Sequence, residues 1–220
     1  AGLEELREDD WEYAETAFME NNAVSALAEF LVSEGVSVAG RAYSVETGFT
    51  AEFGQRRPRI GILGEFDALS GLSQKAGLAE KEALIPGANG HGCGHNLLGA
   101  GSVAAALAVK KYLEDGHQGT VVYYGCPGEE GGSGKAFMAR GGAFKDLDCA
   151  LTWHPGVMNA VSKDSSLANF QVLYSFKGIS AHAAGCPEMG RSALDGLELT
   201  NVGNKFLRGH MLDKGRVHYA

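Results

Sequence analysis

Arg59-Ile60-Gly61-Ile62-Leu63-Gly64-Glu65-Phe66-Asp67 is the stretch from which the fold can be read. A strand is expected over Arg59–Phe66, whose continuous apolar core from Ile60 to Leu63 suits burial on both faces, as in a sheet covered by helices. Such a strand leaves Gly64 to Asp67 at its carboxyl end. Two similar runs follow: Thr120–Tyr124, rich in β-branched and aromatic residues, and the apolar Cys149–Trp153. Helical segments separate them. Residues 97–114 are mostly Ala, Gly, Leu and Val, small side chains that permit close approach to a sheet, and a short helix is expected over Lys135–Arg140. Strands alternating with helices argue for a parallel α/β arrangement, in which ligands gather beyond the carboxyl ends of the strands.

Upstream, Val24, Leu27, Ala28 and Leu31 fall at i, i+3, i+4 and i+7, which predicts one amphipathic helix over residues 11–34, ended by Gly35. Strands are expected around Val36–Ser44 and Gly48–Phe53. Downstream the pattern changes near Val161–Asn169. Phe170–Phe176 alternates apolar and polar residues like a half-exposed antiparallel strand, residues 190–211 predict a helix carrying Leu194, Leu197 and Phe206, and Val217–Tyr219 predicts the start of another strand. The expected fold class is α/β: a mixed, mostly parallel sheet flanked by helices over residues 1–165, then part of a smaller α+β domain over 166–220. One strand, one helix and the start of a strand cannot cover a core, so the chain is expected to stop inside that second domain.

Composition bounds the function. A chain of 220 residues, 45% hydrophobic, can bury a substantial core. With 27 acidic against 19 basic residues, a formal charge of -8 and no long Lys/Arg run, nucleic acid is not an expected partner. No segment approaches the roughly 20 apolar residues of a membrane span. Cys93, Cys126, Cys149 and Cys186 are widely spaced without a C-x-x-C pair, which argues against a disulfide framework and for a reducing, cytoplasmic setting.

The chemistry concentrates at the predicted strand ends. Gly90-His91-Gly92-Cys93-Gly94-His95-Asn96 places a thiol and two imidazoles on a glycine-rich segment entering a helix, with Cys93 and His95 spaced to point into one site. Thiolate, imidazole and carboxylate are ligands of zinc and related divalent ions, and mixed ligation favours a catalytic site over a closed structural one. Glu129 and Glu130 follow an apolar strand and a Cys126-Pro127-Gly128 corner. Adjacent glutamates usually mean a solvated surface, but at a strand end one can bind a cation while the other takes a proton from water. His154, after Leu151-Thr152-Trp153, is either a third ligand or a core histidine satisfied by backbone. Asp67 either caps a turn or orients a ligating imidazole. His182 sits on a loop in the second domain, where a histidine is usually surface decoration.

Five motifs then carry a resemblance: Glu65-Phe66-Asp67-Ala68-Leu69, His91-Gly92-Cys93-Gly94-His95-Asn96, Pro127-Gly128-Glu129-Glu130-Gly131-Gly132, Thr152-Trp153-His154-Pro155 and Gly178-Ile179-Ser180-Ala181-His182-Ala183. In this order and spacing the chain resembles the aminoacylase/carboxypeptidase family of dinuclear metallohydrolases, in particular the amidohydrolase branch of N-acyl-amino-acid and aminobenzoyl-glutamate hydrolases. The resemblance implies a zinc-peptidase-like catalytic domain with a lid or dimerisation domain. It implies two divalent ions, Mn²⁺ or Zn²⁺, held by Cys93, His95, Glu130 and His154, with Cys93 in the bridging position and Glu129 as general base. His182 would reach across a homodimer to hydrogen-bond the developing oxyanion, and Asp67, Asn96 and His91 would support the ligands. Asn96 stands where many members have Asp, which narrows the branch to aminobenzoyl-glutamate-like proteins.

The implied substrate is a small N-acyl amino acid, such as aminobenzoyl-glutamate, or a short dipeptide, and the implied assembly is a homodimer or one with a second type of subunit. Family members continue further, finishing the smaller domain and returning to the catalytic domain with one more ligating histidine. This chain ends at Ala220, so that C-terminal part of the catalytic domain is expected to be absent. A truncated or catalytically silent homologue that binds metal or only dimerises is the alternative. A structural zinc protein fits less well, because closed sites do not place a spare glutamate beside a ligand.

Overall fold

The computed structural model describes residues 2–163 and 165–220. The chain divides into two compact units, residues 1–159 and 160–220. The first unit is a five-stranded sheet with helices on both faces, the α/β class that the strand and helix pattern predicts. Its helices are α1 (Gly2–Tyr13), α2 (Asn21–Ser33), α3 (His95–Glu114), the single turn α4 (Glu129–Gly132) and α5 (Gly134–Arg140). Its strands are β1 (Ser37–Gly40), β2 (Phe49–Gly54), β3 (Arg59–Gly64), β4 (Thr120–Gly125) and β5 (Cys149–Leu151), in the spatial order β1-β2-β4-β3-β5. β3 pairs in parallel with β4 and β5, while β2 pairs antiparallel with β4 and β1.

The parallel register sets the site. Gly64 lies opposite Gly125, and Ile62 opposite Leu151, so three chain segments leave the sheet side by side. They are the segments that carry Glu65 and Asp67, Glu129 and Glu130, and His154.

Every residue of β4 is buried, and its alternating side chains feed two cores. Val121 and Tyr123 join Leu27, Leu31, Phe49, Ile62 and Val103 on the face covered by α1, α2 and α3. Val122 and Tyr124 join Leu63, Met138 and Ala143 on the face covered by α5. α3 reaches the end of β3 closely because position 99 is glycine: a Cβ there would stand 2.9 Å from the Glu65 carbonyl oxygen. The close approach expected of this small-residue helix is thus built at its first turns. The Ser102 hydroxyl fixes it by donating to the Leu63 carbonyl at 3.0 Å, and Trp153 Nε1 donates to Ser102 at 3.2 Å.

The single helix expected over residues 11–34 is two helices. Between them the chain turns sharply, with positive φ at Ala14 and Phe18, and Thr16 bridges to Ala68. The reason is tertiary. The carboxylate of Glu20, which is 0% exposed, accepts from the backbone N–H of Phe18 and of Gly128, both at 2.9 Å, and from the Thr47 hydroxyl at 2.7 Å. A continuous helix could not deliver that side chain to Thr47 and Gly128, two partners from distant parts of the chain.

Among its described residues the second unit contains α6 (Ala193–Arg208), capped by the Ser192 hydroxyl on the Asp195 N–H, and a bridge between Ile179 and Arg191. The strands expected at Phe170–Phe176 and Val217–Tyr219 do not form. No described residue from 160 to 220 is buried, and Phe170 and Leu173 are 90% and 97% exposed. An alternating pattern makes a strand only when a partner takes up its N–H and C=O groups. No helix among the described residues is long and apolar enough to cross a membrane, and all four cysteines are unpaired.

Candidate active site

The sheet brings Glu65, Asp67, Cys93, His95, Glu129, Glu130 and His154 to one place. His95 is its centre and is fully buried. Its Nδ1 lies 3.0 Å from Asp67 Oδ1 and 3.1 Å from the Asp67 carbonyl oxygen. Both partners can only accept, so Nδ1 carries a proton and Nε2 faces the site. Around Nε2 stand Glu65 Oε2 at 3.0 Å, Glu129 Oε2 at 3.9 Å and Glu130 Oε1 at 4.0 Å. Asp67 serves twice, because its second oxygen accepts from the Glu130 N–H at 2.8 Å and ties the glutamate turn to the histidine.

On the other side, Cys93 Sγ lies 3.3 Å from His154 Nε2. His154 Nδ1 is 2.9 Å from the Pro155 carbonyl and must donate to it, which leaves the Nε2 lone pair toward the thiol. The rings of His95 and His154 meet edge to face at 5.6 Å.

Charge and burial shape the ionisation of this group. Burial alone would lower the imidazole pKa of His95, but Asp67 and Glu65 outweigh it and carry the pKa up to about 10. For Glu65, burial works against ionisation and is overcome by His95 and Lys135, which bring the carboxyl down to about 2. Burial first, and then Glu130, push the Cys93 thiol up to about 12. The carboxyl of Glu129 is held above its ordinary range by burial and by the charge of Glu65, with Lys135 opposing.

The family model described as peptidase family M20/M25/M40 matches residues 61–187, which run from β3 past all of these side chains. The chain belongs to that family. It is 52% identical to a p-aminobenzoyl-glutamate hydrolase subunit of Escherichia coli (strain K12) over 217 residues, 98% of this chain and 45% of that protein. It is 31% identical to the Xaa-Arg dipeptidase of Mus musculus over 221 residues, 94% of this chain and 47% of that one. Among solved structures it shares its fold with a dinuclear metal-binding M20 peptidase from Bacillus subtilis, at a TM-score of 0.58 and 23% identity, over 67% of this chain and 41% of that chain. The chain thus spans about half the length of the curated relatives it matches.

The donor set of this M20 chain fits a divalent cation. Glu65 Oε2, His95 Nε2 and Glu130 Oε1 are buried and have no hydrogen-bond partner among the described residues, although the first two lie only 3.0 Å apart. Buried polar atoms without partners are costly, and a cation at His95 Nε2 and Glu130 Oε1 would satisfy both, while Glu65 pairs through its other oxygen with Lys135 Nζ. Among the described residues two triads have ligand atoms within 4.8 Å of one another: Cys93, His95 and His154, and Glu65, His95 and Glu129.

The remaining expected residues lie elsewhere. His91 Nε2 donates to the Asp10 carbonyl at 2.8 Å and its ring stacks on Trp11, while Asn96 Nδ2 donates to the Arg7 carbonyl at 3.2 Å. Both therefore anchor α1. His182 belongs to the second unit, where its Nδ1 accepts from the N–H groups of Ala184 and Gly185 at 3.2 and 2.9 Å, which leaves Nε2 as a donor.

Sequence reasoning passed over Glu65, Lys135 and Glu20. Glu65 carried a signal, since it sits two residues before Asp67 and points to the same side of an extended chain. Glu20 and Lys135 carried none.

Proposed function

We propose that this chain forms the metal-binding part of an enzyme that hydrolyses the amide bond of an N-acyl amino acid of the aminobenzoyl-glutamate type, or of a short dipeptide. The observation that carries the reading is the convergence of unpartnered buried atoms from His95 and Glu130 beside the Cys93–His154 pair. The kinship with hydrolases supports the reaction class.

Cys93, His95, Glu130 and His154 would hold two divalent ions, Mn²⁺ or Zn²⁺, whose bound chemistry is to polarise the amide carbonyl and to make water acidic enough to attack it. Asp67 orients His95 by holding its Nδ1 proton, and the Pro155 carbonyl orients His154 in the same way. Glu129, partly exposed beside His95, takes the proton of the attacking water. As the water oxygen bonds to the carbonyl carbon and the C–N bond breaks, the same carboxyl returns that proton to the leaving amine. His182, with Nε2 as donor, would stabilise the oxyanion of a partner subunit in a homodimer. The E. coli relative is itself named as one subunit of a hydrolase, which supports an assembly with a second type of subunit as well. A cytoplasmic setting accords with four unpaired cysteines.

The test is release of p-aminobenzoate from p-aminobenzoyl-glutamate by the longest native polypeptide that contains this chain, loaded with Mn²⁺ or Zn²⁺. Turnover should fall by roughly 10²- to 10⁴-fold in Glu129→Gln while bound metal is retained. Absence of turnover in the loaded wild-type protein would overturn the assignment for that substrate.

A further inference from the structure

The two ligand triads overlap at His95, and a single nitrogen cannot serve both. Asp67 occupies Nδ1, so Cys93 with His154 on one side and Glu65 with Glu129 on the other compete for Nε2. Glu65 is placed to compete, since its Oε2 is 3.0 Å from Nε2 and its side chain is only 7% exposed.

One cation enters this acidic cluster. Lys135 Nζ pairs with Glu65 Oε1, and among the described residues it is the only Lys or Arg in an ion pair with a member of the cluster. Its backbone is held by close packing of α5. α5 starts at Gly134, where a Cβ would stand 1.8 Å from the Pro127 carbonyl oxygen, and Met138 one turn later is fully buried in the core. The Lys135 ammonium is therefore rooted to the corner that carries Glu129 and Glu130, and it leans on the carboxylate at the end of β3.

We propose that Lys135 is a positioning residue that selects the ligand set: by neutralising Glu65 it leaves His95 to ligate with Cys93, His154 and Glu130, and keeps the cation off the oxygen-rich Glu65–His95–Glu129 triad. The inference rests on the metal-dependent reading above. It concerns which side chains compete for the ion and gives Lys135 a role outside coordination and proton transfer.

Co²⁺ and Mn²⁺ titrations of this 220-residue chain test it without any turnover assay. In the wild type Co²⁺ should give a thiolate-to-metal charge-transfer band that Cys93→Ser abolishes. Lys135→Met frees the Glu65 charge a few ångströms from the ion, so Mn²⁺ should bind on the order of tenfold to a hundredfold more tightly while the thiolate band weakens. Lys135→Arg keeps the charge and should keep the wild-type pattern, and Lys135→Met combined with Glu65→Gln should return Mn²⁺ affinity toward the wild-type value. If Lys135→Met fails to fold, Glu65→Gln alone decides: it should retain the Co²⁺–thiolate band, and loss of that band would make Glu65 an ordinary ligand and overturn the inference. A Lys135→Met protein with wild-type Mn²⁺ affinity and an undiminished thiolate band overturns it while leaving the metal site standing. A wild-type chain with no Co²⁺–thiolate band overturns the metal site and this inference together.

Discussion

His95 shows how much a single side chain depends on its second nitrogen. The Asp67 carboxylate at 3.0 Å from Nδ1 fixes the ring so that Nε2 can meet a cation, and the same carboxylate holds the Glu130 N–H. Asp67→Asn keeps the shape and removes the charge, and Mn²⁺ or Zn²⁺ affinity measured by calorimetry should fall about 10- to 100-fold. Proton linkage provides a second check at this scale. In the metal-free chain the His95 imidazole, near 10, and the Cys93 thiol, near 12, both hold their protons at neutral pH. Ligation through both must expel them, so apparent affinity should rise by up to about a hundredfold per pH unit around pH 7, and the heat of binding should vary with the ionisation enthalpy of the buffer. A pH-independent affinity would mean that neither group ligates.

At the scale of elements, the corner between β4 and α5 carries the most structural obligation. Glu20 reaches it from the start of α2 and accepts the Gly128 N–H, and α5 packs its first residue against Pro127. Gly134→Ala places a methyl group against backbone that cannot yield, so it should cost about 1–3 kcal/mol in denaturant unfolding and lower metal affinity by shifting Glu129 and Glu130. The position of α2 rests on ordinary packing instead. Leu31 is 0% exposed in the core beneath the sheet, and Leu31→Ala should cost about 2–5 kcal/mol with metal affinity of the folded protein unchanged.

For the molecule as a whole, the buried charges make stability depend on pH in two windows. The folded state raises His95 from 6.5 to about 10, so its contribution is fully present below pH 6.5 and is lost as pH rises through 10. Glu65 is lowered from 4.5 to about 2, so its contribution is fully present above pH 4.5 and is lost as pH falls through 2. Thermal melts of the metal-free chain should therefore show these groups stabilising most between the two windows, and Glu65→Gln should flatten the acidic limb. Hydrogen exchange should also separate the two units, with β4 amides protected longest and residues 160–220, none of which is buried where described, exchanging fastest.

The strands of the first unit, the helix after Gly94 and the clustering of Cys93, His95, Glu129, Glu130 and His154 at strand ends were legible from the chain alone. Apolar runs, helix periodicity and motif spacing are local properties, and the parallel strands β4, β3 and β5 convert them into one crevice. The break between α1 and α2, the triple acceptance by Glu20, the Glu65–Lys135 pair and the unformed strands of the second unit were decided only by tertiary structure. Each depends on a partner remote in sequence: a buried charge settles where distant donors converge, and an alternating segment becomes a strand only beside another strand.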